Sequence, residues 1–75
     1  MDAERELQVV RVDLEGGFWG LVSEDGGKYQ PLDLPETYQV DGLRIVARLE
    51  SVTAFTTAQW GKTVRVTSIR ASDID

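Results

Sequence analysis

The chain has 75 residues, a formal net charge of −5, 41% hydrophobic residues, and neither Cys nor His. This length suits a single small domain, residues 1–75. The absence of Cys and His excludes disulfides, nitrogen–sulfur zinc sites and histidine acid–base catalysis. The charge is uneven, because residues 1–42 hold ten acids and three bases whereas residues 43–75 hold three acids and five bases.

The first predicted element is a strand that begins near Leu7. Val10, Val12 and Leu14 alternate with charged residues, and this period of two is typical of a strand with one buried face. We therefore expect these three side chains to point into the core. Residues 1–6 are charged and are expected to be a loose end.

A second strand is predicted over residues 18–22, after a Gly16-Gly17 pair. Paired glycines favour a tight turn because glycine adopts positive φ without steric cost. Both faces of this strand are apolar, which predicts a central or covered position in the sheet. Gly20 inside it indicates a kink or coiling point.

The third strand is predicted over residues 28–32, after an Asp25-Gly26 turn. Pro31 cannot donate a ladder hydrogen bond, so the strand either ends there or lies at an edge. Residues 33–38 are expected to form one helical turn with Pro35 at its first position.

Two further strands complete the prediction. The fourth, expected to be the longest, starts at Leu43 and should bury alternate residues through Leu49. The fifth covers residues 63–70, where Ile69 falls out of phase and indicates a β-bulge. Residues 71–75 are expected to be a loose end.

Five strands with a helical turn between the third and fourth predict an all-β protein, a small five-stranded barrel of OB-like type. A barrel also removes the exposed strand edges that a short sheet would otherwise present. The alternative is an SH3-like barrel, in which the helical turn usually falls later in the chain.

A resemblance supports the same fold. The segment Glu15-Gly-Gly-Phe-Trp-Gly20 is followed by Asp25-Gly26, Tyr29-x-Pro31, Leu34-Pro35 and Asp41-Gly42-Leu43. Together these motifs resemble small OB-like β-barrel domains of uncharacterised prokaryotic proteins, some of them exported or lipid-anchored. The resemblance spans roughly residues 8–70. It consists of turn and core residues, so it implies a fold and no particular activity.

The abundant carboxylates do not predict an active site. Asp13 and Glu15 share one face of the first strand, opposite Arg44 and Arg48 of the fourth. Cross-strand ion pairs explain this arrangement more simply than an acid–base pair, which needs a cleft. We therefore expect no enzymatic activity, no cofactor and no metal site.

The long hairpin between the fourth and fifth strands carries the candidate binding site. Trp60 lies in its polar tip, where an aromatic side chain either contacts a partner or folds back onto the barrel. Phe55 flanks the tip, and Lys62 and Arg65 supply charge beside it. This pattern predicts a non-catalytic binding or interaction module with its contact surface at residues 53–62.

The partner is expected to be a protein or a small ligand. The alternative function is a single-stranded nucleic-acid-binding OB domain, because such domains combine basic grooves with aromatic platforms. The overall negative charge disfavours that alternative. No apolar run is long enough to span a membrane, and the charged start lacks a signal-peptide core. We therefore expect a cytoplasmic monomer, or alternatively a domain of an exported protein.

Overall fold

The computed structural model describes residues 4–14, 16–53 and 60–72. Within them, every strand is short and the single helical element is a 3₁₀ turn (Glu36–Tyr38) that follows the third strand. The strands are β1 (Arg5–Val12), β2 (Phe18–Ser23), β3 (Lys28–Pro31), β4 (Arg44–Ser51) and β5 (Lys62–Ala71).

The five strands close into a barrel in the order β1-β2-β3-β5-β4, with β4 pairing back onto β1. All neighbours are antiparallel except β3 and β5, which run parallel. The 3₁₀ turn lies between β3 and β4. The all-β, five-stranded, OB-like prediction is therefore confirmed, and the helical turn does not take the later position of the SH3-like alternative.

The barrel interior is filled by apolar side chains of β1, β2, β4 and β5 and by Leu34, which lies in the segment after β3. Those buried are Leu7, Val9, Leu21, Leu34, Ile45, Ala47 and Val64. Around them pack the partly buried Trp19, Tyr29, Tyr38, Leu43, Leu49, Val66 and Ile69. The interior is thus occupied by its own side chains, which leaves the outer faces and the barrel ends as places for a ligand.

The buried face of β1 differs from the sequence prediction. Val9 is fully buried opposite Leu21, whereas Val10 is only partly buried and Leu14 is 50% exposed. The prediction that Val10, Val12 and Leu14 face the core is therefore wrong. The strand carries apolar residues at both odd and even positions, so alternation alone cannot decide which set is buried.

Several boundaries also differ. Arg5 is the first residue of β1 and pairs with Ala47, so the ladder begins inside the segment expected to be loose. The longest strand is β5 rather than β4. Pro35 precedes the 3₁₀ turn with ψ of 145°, an extended conformation, instead of occupying its first position.

The predicted bulge in β5 is confirmed. Arg48 lies opposite Ser68 and Leu49 lies opposite Val66, so Thr67 has no residue across from it. The Thr67 hydroxyl donates to the Arg48 carbonyl at 3.3 Å. The bulge lets both Val66 and Ile69 pack against the core, which an uninterrupted alternation would forbid.

The expected ion pairs between Asp13 and the arginines of β4 do not form. β1 ends at Val12, and its ladder with β4 extends only from Arg5 to Gln8, so Asp13 lies beyond the paired region. Glu15 lies outside the described residues. Salt bridges among the described residues instead join Arg65 to Glu50 and Arg70 to Glu4.

Candidate functional site on the outer face of strand β2

The outer face of β2 is apolar although it lies outside the barrel. Leu21 points into the core, so its neighbours Gly20 and Val22 lie on the opposite face, as does Phe18. Across the ladder, Val10 pairs with Gly20 and Val12 pairs with Phe18. An apolar strip on the outside of a small barrel is either covered by the chain itself or used for binding.

Trp60 covers part of this strip. A Cβ atom at Gly20 would lie 2.5 Å from Cζ3 and 2.6 Å from Cη2 of the Trp60 ring. No side chain other than hydrogen fits between the strand and the indole, so glycine at this position permits the close approach. Trp60 is partly buried as a result.

Two further side chains contact the Trp60 ring. The Phe18 ring meets it edge-on, with centroids 5.9 Å apart and planes inclined by 71°, an arrangement that aromatic pairs favour. The Lys28 ammonium lies 5.5 Å from the ring centroid, within cation–π range. We call Phe18, Gly20, Lys28 and Trp60 the aromatic platform.

Backbone packing next to Trp60 helps to position the indole. A Cβ atom at Gly61 would lie 2.7 Å from the Lys28 carbonyl oxygen, so the two backbones are in close contact. The next residue, Lys62, begins β5 and pairs with Tyr29 of β3. Trp60 is therefore attached directly to the parallel β3–β5 ladder that closes the barrel.

Three of the four residues expected at the site are described by the structure, and they lie in different places. Trp60 folds back onto the barrel, which is one of the two alternatives that the sequence left open. Arg65 lies 3.9 Å from the Glu50 carboxylate and both side chains are exposed, whereas the cation over the indole is Lys28. Lys62 lines a pocket that also contains Arg5. Phe55 lies outside the described residues.

Sequence reasoning missed Phe18, Gly20 and Lys28 as neighbours of Trp60. A signal was present, because β2 is apolar on both faces and carries a glycine at its centre. The two features together indicate that something covers the outer face closely. They do not indicate which distant residue provides the cover.

The β2–β3 turn contains a carboxylate with a shifted pKa, that of Asp25. The Asp25 carboxylate accepts hydrogen bonds from the Ser23 hydroxyl and from the Gly27 N–H. These bonds, led by the Ser23 contact, hold the pKa of Asp25 below its ordinary value of 3.8. Asp25 is exposed, and its interactions stabilise a tight turn.

Residues 4–14, 16–53 and 60–72 contain no group of three or more Asp and Glu side chains placed to hold a metal ion. None of the helical structure in these ranges has the length and apolarity of a membrane-spanning helix. No protein family, curated protein or solved structure matches the chain.

Proposed function

We propose that this chain is a non-catalytic binding domain that uses the aromatic platform to contact a protein partner. The observation that carries the proposal is the placement of Trp60 and Phe18. They pack against each other on the outside of the barrel instead of in its core. Trp is among the residues that contribute most to protein interfaces, because it adds a large apolar area at little entropic cost.

The position of the platform within the fold supports the proposal. OB-type barrels bind ligands on the face of strands 2 and 3, with help from the loops joining strands 1–2 and 4–5. Phe18 and Gly20 belong to β2, Lys28 begins β3, and Trp60 lies in the connection between β4 and β5. This similarity is one of architecture, and the chemistry of the platform must identify the partner.

Exposed carboxylates in the chain segments on either side of β2 favour a protein segment that carries apolar and basic side chains. Asp13 precedes β2 and Glu24 follows it, and both are exposed. An apolar side chain of the partner would pack on the exposed parts of Phe18 and Trp60. Basic side chains on either side would meet the two carboxylates, and such rim charges chiefly affect the association rate.

The nucleic-acid alternative is less well supported. Aromatic rings beside Lys28 could stack with a base, but Lys28 is the cation in contact with the Trp60 ring and the whole chain carries −5. Backbone phosphate contacts normally supply most of the affinity for nucleic acid. Fluorescence polarisation with a labelled single-stranded oligonucleotide at low salt tests this alternative directly.

Substitution of Trp60 separates a binding role from a structural one. We expect Trp60→Ala to lower the free energy of unfolding by less than about 2 kcal/mol, because the ring is only partly buried. Leu21→Ala, in the fully buried core, should cost about 2–5 kcal/mol. Urea unfolding of both variants measures the comparison. A Trp60→Ala loss as large as that of Leu21→Ala would make Trp60 a structural residue.

A second experiment tests binding itself. The intact chain serves as bait in cell extract, and the retained proteins are crosslinked and identified. A true partner should be retained by the wild type, lost with Trp60→Ala and largely kept with Trp60→Phe. Val40→Ala is the matched control, because Val40 is 52% exposed and lies outside the platform. Retention that does not change in Trp60→Ala, or that falls equally in Val40→Ala, would contradict the proposal.

A further inference from the structure

One end of the barrel contains a small pocket with two cationic side chains. Its volume is about 190 Å³, and it is lined by Arg5, Tyr29, Leu49, Ser51, Lys62 and Val64. Drug-sized ligands occupy roughly 300–1,000 Å³. This pocket therefore suits a small molecule, or one group of a larger molecule.

The pocket is rich in hydrogen-bond donors. Arg5 and Lys62 come from opposite ends of the chain and reach the pocket through separate strands, β1 and β5. The Arg5 guanidinium donates to the Tyr29 hydroxyl at 3.3 Å and lies 5.9 Å from the ring centroid, which holds it at the pocket. Ser51 also lines the pocket, and its side chain is a hydroxyl that can donate a hydrogen bond.

Among the described residues, no acidic side chain lines this pocket, although the chain as a whole is acidic. The two described salt bridges engage Glu4 and Glu50 with other arginines. Asp25 lies within electrostatic range of Arg5, but it is not among the described residues that line the pocket, and its carboxylate accepts hydrogen bonds from its own turn. Two cations that share a pocket without a lining carboxylate repel each other, and a bound anion would relieve that repulsion.

We propose that this pocket binds a small oxyanion, a phosphate or carboxylate group. The planar guanidinium group of Arg5 and the ammonium group of Lys62 would donate charge-assisted hydrogen bonds to the anion. The Tyr29 and Ser51 hydroxyls would complete the set of donors, above an apolar floor of Leu49 and Val64. This site is separate from the aromatic platform and does not depend on it, because Lys62 and Tyr29 line the barrel end whereas Trp60 lies on the outer face of β2.

Titration followed by NMR tests the proposal. Inorganic phosphate and acetate are added separately to the intact chain, with sodium chloride at matched ionic strength as the reference. Saturable shifts should appear at the backbone amides of Arg5, Ser51 and Lys62 with phosphate, acetate or both. Whichever of the two binds more tightly identifies the oxyanion.

Lys62→Gln should weaken this binding about tenfold or more, since one charge-assisted contact is lost. Arg5→Gln should do the same, but it also removes the Tyr29 hydrogen bond, so the exposed Lys62 provides the cleaner variant. Arg65→Gln is the matched control, because its side chain pairs with Glu50 on the outer face. Absence of saturable shifts with both anions, or equal binding by Lys62→Gln and the wild type, would overturn the proposal.

Discussion

Trp60 lies directly on the backbone of Gly20, with ring carbons 2.5–2.6 Å from the place that a Cβ atom would take. A strand residue and a loop residue thus share a space that admits only one side chain. The glycine determines where the indole rests, and through the indole it also brings Phe18 and Lys28 together. This contact connects the fold to the proposed binding surface.

Gly20→Ala should displace Trp60, because the loop side chain can move more easily than the central strand. We expect an overpacking cost of about 1–3 kcal/mol and a change in tryptophan fluorescence. In a Trp60→Ala background the same substitution should cost nothing or stabilise the strand slightly, because alanine suits a strand better than glycine. Urea unfolding of the double-mutant cycle measures the coupling. Equal effects of Gly20→Ala in the two backgrounds would show that the ring does not rest on Gly20.

A matched pair of substitutions tests which face of β1 is buried in the core. Val9→Ala should lower the free energy of unfolding by about 2 kcal/mol, because Val9 is fully buried. Val10→Ala removes the same atoms from the partly buried outer face and should cost less than about 1 kcal/mol. Chemical denaturation ranks the two variants. If Val10→Ala were more destabilising than Val9→Ala, the buried face of β1 would be the one that the sequence predicted.

The lowered pKa of Asp25 predicts an acid-dependent contribution to stability. A folded-state pKa below 3.8 means that the ionised carboxylate is favoured in the folded protein. Its contribution is fully present above the unfolded pKa and is lost as pH falls through the folded value. The stability advantage of the wild type over Asp25→Asn should therefore shrink as pH is lowered from about 7 to about 3.

Unfolding titrations across that range measure the Asp25 effect. Glu24→Gln is the control, since the neighbouring Glu24 accepts neither the Ser23 nor the Gly27 hydrogen bond. A difference between wild type and Asp25→Asn that stays constant with pH would show that the turn does not favour the ionised form of Asp25.

Asp33 anchors the segment after β3 to β5. Its Oδ1 atom accepts a hydrogen bond from the Val66 N–H at 3.1 Å, beside the bulge at Thr67. Asp33→Ala should cost about 1 kcal/mol, whereas Asp33→Asn keeps a neutral acceptor and should cost less. Thermal unfolding of both variants distinguishes them, and faster hydrogen exchange at Val66 in Asp33→Ala should accompany the loss. Equal stability of the alanine variant and the wild type would argue against this anchor.

The sequence by itself determined the number of strands, their order and most of the turns. These features depend on local rules. The Gly16 and Gly17 φ angles of 83° and 94° are open to glycine and costly for other residues, and Pro31 ends β3 where its missing N–H would break a ladder. The burial of alternate residues from Ile45 in β4 was likewise predictable, since the opposite face is largely charged.

Only the tertiary structure decided which face of β1 is buried, where Trp60 rests and which cations share a pocket. β1 has apolar residues on both faces, so its phase follows from pairing Val9 with Leu21 rather than from its own pattern. Trp60 and Gly20, like Lys62 and Arg5, are far apart in the chain. They become neighbours only when β5 pairs with β3 and β4 and the barrel closes. The sequence did not predict these contacts, because a two-residue period carries no information about contacts across the barrel.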